Sequence, residues 1–448
     1  MKQPAAQSQW WSDLLDGLKN IGKIPELQKR ILYSFLLLTV YRIGAHVPTP
    51  GIDRAALAGF IEQAKGSLLG FFDMFAGGAF SNVSVFALGI MPYISASIIL
   101  QLLTIAIPHL ERLSKEGEAG RRKITQYTRY GTVILSLIQG LGISVGLEHM
   151  AGPTGVSIVM EPGWSFRLMT VITLTAGTAF IMWLGEQITE KGIGNGISLI
   201  IFAGIVCRGP AAIYQTFSLL SAGEMGIFFI VILIVLMVAV TGVIVFVESG
   251  QRRIPVQYAK RVVGRKMYGG QTTHLPLKVN TAGVIPPIFA SSIIMFPATI
   301  ANFIDHPWMK AVSDALSQGK MVYESLYVVF IVFFCYFYTA VVFNPADVSD
   351  NMKKYGGYVP GIRPGKKTAE YIDDVLSKLT FSGAIYVSAV CVLPSILISK
   401  FNVPFYFGGT ALLIVVGVAL DTAGQIETHL LTRQYEGFMK KGRIAKRR

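Results

Sequence analysis

The sequence predicts an all-α polytopic membrane protein with ten transmembrane helices and both termini in the cytoplasm. Three observations carry this prediction: an apolar composition, recurring apolar runs and basic segments that alternate with them. Of the 448 residues, 52% are hydrophobic and only 15% are charged, whereas a soluble domain is about 25% charged. The mean hydropathy is +0.52. Two or three soluble domains, which the length alone would allow, are therefore excluded.

Ten apolar runs are each close to the roughly 20 residues that cross the hydrocarbon core of a bilayer. The predicted spans are residues 28–46, 83–107, 125–147, 166–187, 197–219, 227–248, 279–304, 321–343, 381–399 and 407–431. A further apolar stretch, Leu68–Phe80, is too short to span and contains Asp73 and a Gly77-Gly78 pair. This stretch is expected to be a re-entrant half-helix sheltered by protein, because irregular backbone facing lipid would leave polar groups unpaired.

The basic residues predict the orientation of the spans. Of the 40 Lys and Arg residues, 32 lie in six segments: 1–30, 109–130, 185–196, 249–278, 344–380 and 425–448. Since Lys and Arg mark the cytoplasmic side, these segments and both termini are expected to be cytoplasmic. Residues 1–25 have apolar side chains at helical spacing and are expected to form an amphipathic interfacial helix, not a cleaved signal peptide. Residues 432–448 form a basic tail.

Polar and helix-breaking residues within several spans indicate a protein interior or a watery cavity. The second span contains Pro92 and Ser95, the third contains Gln139, and the seventh contains Asn280 and Pro286. The sixth and eighth spans are almost entirely apolar, as expected for lipid-facing helices. A polar inner set and an apolar outer set are typical of a transporter or a channel.

No catalytic, metal-binding or nucleotide-binding motif is present, so neither enzymatic activity nor a cofactor is expected. Gly361–Thr368 resembles a phosphate-binding loop, but its glycines are too close and Lys367 occupies the position of the required hydroxyl. Lys191–Gly196 (KGIGNG) has no preceding strand and is predicted to be a tight turn between two spans. Asp421 is the one acidic residue well inside a predicted span, and interhelical hydrogen bonding or ion coupling are both open roles for it.

Seven long segments carry a resemblance to a known family. They are Gly89–Thr104, Glu116–Thr132, Met182–Ser198, Thr273–Pro286, Phe343–Lys354, Val359–Thr368 and Val403–Val416. These segments closely resemble the SecY family, whose members are the channel subunits of the bacterial Sec protein translocon. The resemblance runs from about residue 26 to residue 437 and includes every predicted span.

The resemblance implies two inverted five-helix halves, residues 26–219 and 227–431, joined by 220–226 and arranged around a central pore. It implies a pore ring of isoleucines: Ile90, Ile94, Ile197, Ile201, Ile288 and Ile414. Composition alone favours six ordinary core isoleucines, and the resemblance reverses that interpretation. A short plug helix is implied at about residues 66–81, with the apolar side chains Leu68, Leu69, Phe71, Phe72, Met74 and Phe75.

A lateral gate is implied between spans two and three on one side and spans seven and eight on the other, with polar contacts from Ser95, Gln139 and Asn280. The implied partner-docking residues are Arg252, Arg253, Lys260, Arg261, Arg265, Lys266, Arg363 and Tyr435. The implied partners are SecE-like and SecG-like small membrane subunits, a SecA-like ATPase, the ribosome, signal sequences, nascent polypeptides and anionic lipids. The implied location is the bacterial inner membrane.

The residues themselves distinguish between two candidate functions. A secondary transporter of a small solute should have paired ionisable residues near the middle of broken spans. Here the corresponding positions are isoleucines, and the long basic segments 249–278 and 344–380 serve no obvious need of a solute carrier. A passive protein-conducting channel driven by bound partners is the favoured function.

Overall fold

The structure is a computed structural model. It describes residues 24–53, 57, 76–149, 157–223, 226–258, 261–263, 266–268, 272–303, 315–316, 320–401 and 409–445. The main helices, in chain order, are α1 (Pro25–Gly44), α2 (Met91–Ala106), α3 (Pro108–Lys115), α4 (Glu118–His149), α5 (Trp164–Lys191), α6 (Gly196–Val206), α7 (Gly209–Ser221), α8 (Ile227–Glu248), α9 (Ile285–Phe303), α10 (Met321–Val342), α11 (Pro345–Lys354), α12 (Lys366–Phe401) and α13 (Gly409–Ala445).

Each predicted span coincides with a described helix or helix pair, so the helical membrane-protein class is confirmed. Seven of the described helical stretches are long and apolar enough to cross a membrane, and the bent pair α2–α3 would be an eighth. The other two predicted spans coincide with α1, which has charged residues at both ends, and with α9. The bend between α2 and α3 is 102°. It occurs because Pro108 forces the preceding Ile107 into an extended conformation.

The second and fifth spans differ in detail from the prediction. The second helix begins at Met91, eight residues after the predicted start, because residues 76–90 form turns. The fifth span is divided between α6 and α7 at Cys207 and Arg208. The Gly209-Pro210 pair follows this break, and a proline inside a helix removes a backbone hydrogen bond.

The predicted cytoplasmic segments are more ordered than loops. Residues 249–278 contain the strands β1 (Gln251–Tyr258), β2 (Arg261–Val263), β3 (Lys266–Tyr268) and β4 (Thr272–Lys278), and β5 is Gly357–Tyr358. A three-stranded antiparallel sheet has the order β4-β1-β5, and β2 pairs with β3. The β1–β4 register runs from Gln251 opposite Lys278 to Gln257 opposite Thr272.

One face of this sheet packs on α11 and α12. Side chains alternate along β1, so that Ile254 and Val256 point into a core while their neighbours face outward. Ile372 of α12 is fully buried in the same core. The remaining buried members are Leu277, Met352 and Val359. This part of the chain, which the basic residues predict to be cytoplasmic, is thus a small packed α/β layer, and α12 starts 15 residues before the predicted ninth span.

By packing, the chain forms two compact units, residues 1–213 with 414–448 and residues 214–413. In the first unit, α4 presents a small residue at every fourth position: Thr128, Thr132, Ser136, Gly140 and Ser144. The four hydroxyl groups donate to carbonyls of their own helix. A Cβ on Gly140 would lie 3.5 Å from Cα of Val171 in α5. Small residues of this kind allow the two helix backbones to approach closely within a membrane.

The α4–α5 pair is also held at both of its ends. Near one end, the guanidinium of Arg129 donates two 2.8 Å hydrogen bonds to the two carboxylate oxygens of Glu186. At the other end, Nε of Arg167 donates to Glu148 over 2.8 Å, and the same carboxylate accepts the backbone N–H of Gly163 at 3.0 Å. The Glu148 side chain is 6% exposed. Charge-assisted bidentate bonds of this type fix geometry as well as contributing energy.

Candidate functional site

None of the six predicted pore-ring isoleucines is exposed. Ile90 directly precedes α2 and is 1% exposed, and Ile414 in α13 is 2% exposed. Ile201 and Ile288 are also buried, whereas Ile94 and Ile197 are half-buried. Five of the six lie in the first unit and Ile288 lies in the second. The convergence of all six in one layer stays a prediction.

The sequence around Ile90 explains how α2 begins there. Gly89 has φ of +56°, a left-handed conformation that glycine adopts without strain. Pro92 lies in the first turn of α2, where its missing N–H has no helical acceptor to lose and its fixed φ suits the helix. The chain therefore turns sharply at Gly89 and enters the helix with Ile90 at its start.

The turn before α6 positions the next two isoleucines, and the predicted tight turn at KGIGNG is confirmed. Gly194 has φ of +83°. The side-chain oxygen of Asn195 then caps α6 by accepting the backbone N–H groups of Ile197 and Ser198 at 3.1 and 3.3 Å. Ile197 is therefore in the first turn of α6, and Ile201 lies one turn later.

The three predicted gate residues have different surroundings. Ser95 on α2 and Gln139 on α4 are half-buried in the first unit. Asn280, in the second unit, is 5% exposed and precedes α9. Its Nδ2 donates to Glu248 Oε1 at 2.7 Å and to the carbonyl of Gly283 at 3.1 Å, while its Oδ1 accepts the Gly283 N–H at 3.1 Å. The amide is thus engaged within its own unit, and a gate contact by this side chain stays a prediction.

The predicted plug side chains Leu68, Leu69, Phe71, Phe72, Met74 and Phe75 lie outside the described residues. The end of the predicted plug segment, residues 76–81, forms turns and no helix. Two side chains of α1 hold it: the Tyr41 hydroxyl donates to the carbonyl of Ala76 at 3.1 Å, and Arg42 donates to that of Gly77 at 2.7 Å. A Cβ on Gly77 would be 2.7 Å from Cα of Gly204 in α6, so the backbones nearly touch.

Sequence reasoning did not single out Tyr41 or Arg42. The only available signal was an arginine close to the end of the first span. A charged side chain in that position tends to pair with backbone carbonyls or with other protein groups. The structure provides such a partner 35 residues away in the chain.

Most of the predicted docking residues fall in the segments of the α/β layer. Arg252 and Arg253 are exposed at the start of β1. Arg261 lies in β2 and Lys266 in β3. Lys260 and Arg265 lie outside the described residues. Tyr435 lies in α13, in a part whose side chains are outside the described ones.

Arg363 is exposed on a well-fixed turn between β5 and α12. Gly361 and Gly365 on either side have φ of +82° and +98°. The Thr368 hydroxyl donates to the carbonyl of Arg363 at 3.0 Å, and the Ser349 hydroxyl donates to that of Gly365 at 2.8 Å. The turn therefore presents the guanidinium outward from a backbone with little freedom to move.

Comparison with known sequences decides the family. A sequence model of the family described as SecY matches residues 84–423, which is most of the chain. The chain belongs to the SecY family. The protein translocase subunit SecY of Escherichia coli (strain K12) is 53% identical over 427 residues, covering 94% of this chain and 96% of the relative. The corresponding subunits of Pseudomonas aeruginosa and Aquifex aeolicus are 52% and 46% identical, over 96% and 95% of this chain and 97% and 99% of the relatives.

Comparison with solved structures shows the SecY fold independently of close sequence similarity. A structure described as that of a protein conducting channel has a TM-score of 0.64 at 17% identity, covering 91% of this chain and 95% of the other. Sec61 in the canine ribosome-channel complex from the endoplasmic reticulum has a TM-score of 0.60 at 16% identity, over 91% and 96%. The chain is a multi-pass membrane protein with this fold.

Proposed function

We propose that the chain is the channel subunit of a bacterial protein translocase. It passes unfolded secretory polypeptides across the membrane and releases signal and transmembrane segments sideways into lipid. The observation that carries the proposal is the near-full-length identity of about half to proteins named protein translocase subunit SecY. A secondary transporter of a small solute has no comparable support.

The constriction is formed by the six pore-ring isoleucines. Branched apolar side chains around a narrow neck expel water, and a dewetted neck blocks ions without a tight steric seal. The burial of Ile90, Ile201, Ile288 and Ile414 is consistent with inward-facing positions. Since isoleucine forms no directional bonds, such a ring can surround any extended polypeptide, which a channel for many substrates requires.

The two halves, residues 26–219 and 227–431, enclose this pore and part at a lateral gate. Ser95, Gln139 and Asn280 contribute polar contacts to the gate. Hydrogen bonds between membrane helices are worth only about 0.6–2 kcal/mol each, so an intercalating apolar signal sequence can displace them. The short plug segment closes the far side of the pore.

The cytoplasmic layer receives the motor. The proposed partners are a SecA-like ATPase or the ribosome at Arg363 and the β1–β4 hairpin, SecE-like and SecG-like subunits, and anionic lipids. The protein lies in the bacterial inner membrane with both termini in the cytoplasm. Arg363 is suited to this docking because a guanidinium forms bidentate bonds with phosphate or carboxylate.

The test is reconstitution of the purified chain with its small subunits in sealed vesicles. A preprotein with a signal sequence should become protease-protected when the ATPase and ATP are added. Two adjacent isoleucines of α6 give a matched pair for the pore: Ile201→Asn should raise the resting ion conductance and relax signal-sequence discrimination. Ile200, 1% exposed and packed against Gly185 of α5, should on mutation to Asn lower stability without that leak.

Failure of the wild-type vesicles to protect any preprotein would refute the proposed function. Equal leaks for Ile200→Asn and Ile201→Asn would instead refute the ring assignment, because both substitutions bury the same amide in the same helix.

A further inference from the structure

The turn between α5 and α6, residues 192–195, is bound to three helices at once. The N–H of Ile193 donates to Oγ of Ser34 in α1 at 3.0 Å, and the N–H of Gly194 donates to Oε1 of Gln425 in α13 at 3.0 Å. The N–H of Gly196 donates to the Thr189 hydroxyl of α5 at 2.8 Å. Side chains thus satisfy three of the four N–H groups from Ile193 to Gly196, which a connection between helices would otherwise leave to water.

An apolar contact lies beside these hydrogen bonds. Ile193 is 4% exposed and packs in one cluster with Leu27 of α1 and Leu430 of α13. Partly buried isoleucines complete this cluster: Ile24 directly before α1, Ile31 in α1 and Ile426 in α13. The turn therefore inserts a side chain between α1 and α13 and is fixed there by both polar and apolar contacts.

The turn has almost no space in which to shift. A Cβ on Gly196 would lie 2.0 Å from the carbonyl oxygen of Gly185, and one on Gly192 would lie 2.2 Å from the Ser34 hydroxyl. A Cβ on Gly194 would lie 2.9 Å from the Leu199 side chain. Because backbone and neighbours are in contact on several sides, α6 is joined to α5, α1 and α13 through a rigid connection.

We propose that this turn is a positioning element. Through its hydrogen bonds to Gln425 and Ser34, it sets the position of α6 along the axis of α13. The proposal rests on the proposed channel function. Ile197 and Ile201 follow the turn directly, and Ile414 lies on α13 about three helical turns before Gln425. The hydrogen bond from Gly194 to Gln425 therefore aligns three pore-ring isoleucines that belong to two different helices.

The consequence of losing the bond follows from the burial of its donor. Gly194 is buried, so removing its acceptor leaves a buried N–H group unsatisfied. The penalty for such a group corresponds to about a tenfold change in an equilibrium constant. The native arrangement, in which the three isoleucines lie at the same depth, then loses this free-energy advantage over arrangements in which α6 is displaced. In the displaced arrangements the pore constriction is wider and contains water.

The experiment compares three substitutions on α13. Gln425→Leu removes the acceptor at nearly constant volume, whereas Gln425→Glu keeps an oxygen in the same place. Glu427→Leu is the matched control, because Glu427, like Gln425, is an exposed residue of the same helix. Ser34→Ala removes the second acceptor from a different helix. Each complex is measured for thermal stability, resting ion conductance, and translocation of preproteins with strong and weakened signal sequences.

Gln425→Leu and Ser34→Ala should each raise resting conductance about tenfold and admit the weakened signal. Strong-signal translocation should stay at the wild-type level, and Gln425→Glu and Glu427→Leu should resemble wild type. If the Gln425→Leu protein does not fold, the Ser34→Ala protein tests the positioning role.

Unchanged conductance and discrimination in the folded Gln425→Leu or Ser34→Ala complex would overturn the proposal, as would an equal leak in Glu427→Leu. If wild-type vesicles translocate nothing, the proposed function fails. If they translocate and the variants match them, only the positioning role fails.

Discussion

The hydrogen bond between Asn280 and Glu248 lies where the β1–β4 hairpin joins the membrane helices. Glu248 ends α8, the hairpin follows, and Asn280 leads the chain into α9. We predict that Asn280→Asp disrupts this junction, because it replaces the donor facing the Glu248 carboxylate with a second carboxylate.

The magnitude has two parts. Loss of a hydrogen bond to a charged group destabilises by about 1.5–3 kcal/mol. Two unit charges about 4 Å apart near a protein surface repel by about 4 kcal/mol, and this figure is reduced here because Glu248 is only half-buried. The Gly283 carbonyl loses its donor as well. The combined effect is a large fraction of the stability of an ordinary domain, which is about 5–15 kcal/mol.

The assay is thermal unfolding of the purified channel together with protease sensitivity of the hairpin. Asn280→Asp should unfold earlier and expose residues 251–278 to protease. Adding Glu248→Gln should restore part of the loss, because the glutamine amide can donate to the new carboxylate, with a coupling of about 0.5–3 kcal/mol. Thr281→Asp adds the same charge to the next residue, which is more exposed. If Asn280→Asp is no worse than Thr281→Asp, or Glu248→Gln gives no rescue, the reasoning is wrong.

Three further predictions concern other parts of the chain. Arg42→Met removes the donor to the Gly77 carbonyl and should raise resting ion conductance in planar bilayers; wild-type conductance would contradict an anchoring role. Arg363→Glu should abolish translocation in vesicles and Arg363→Lys should impair it, whereas Lys354→Glu removes one screened charge among many and should be tolerated; equal losses would mean that only bulk charge matters. Ile372→Ala should destabilise the core of the α/β layer by about 2–5 kcal/mol, measured as faster proteolysis of that layer, and native resistance would rule this out.

The membrane helices could be predicted because hydrophobicity is a local signal. A run such as Ile227–Glu248 must cross the bilayer as a helix, whatever surrounds it. Residues 83–90 are mostly apolar, so hydropathy predicts a start of α2 before Met91, yet these residues form turns. Their conformation depends on Gly89 and on packing against distant residues, which hydropathy does not register.

The three-stranded sheet β4-β1-β5 is not among the predicted elements, although the sequence contains its signal. Ile254 and Val256 are two residues apart, with Arg253 before them and Gln257 after them, as in a strand with one buried face. The basic residues of this segment were interpreted only as a sign of sidedness. The contact of Arg42 with Gly77 and that of Gln425 with Gly194 could not have been predicted, because they join residues 35 and 231 positions apart.

The two ion pairs that join α4 to α5 have a consequence for how the protein itself is inserted into the membrane. Arg129 and Arg167 both find their carboxylate partners inside the α4–α5 hairpin, near its opposite ends. An unpaired arginine or glutamate is expensive to bring near hydrocarbon, whereas a paired one is largely neutralised. The hairpin therefore has its own counter-ions from the moment its second helix emerges from the ribosome. The hairpin can be inserted with both ion pairs already formed, before the distant helices that will later surround it have been synthesised.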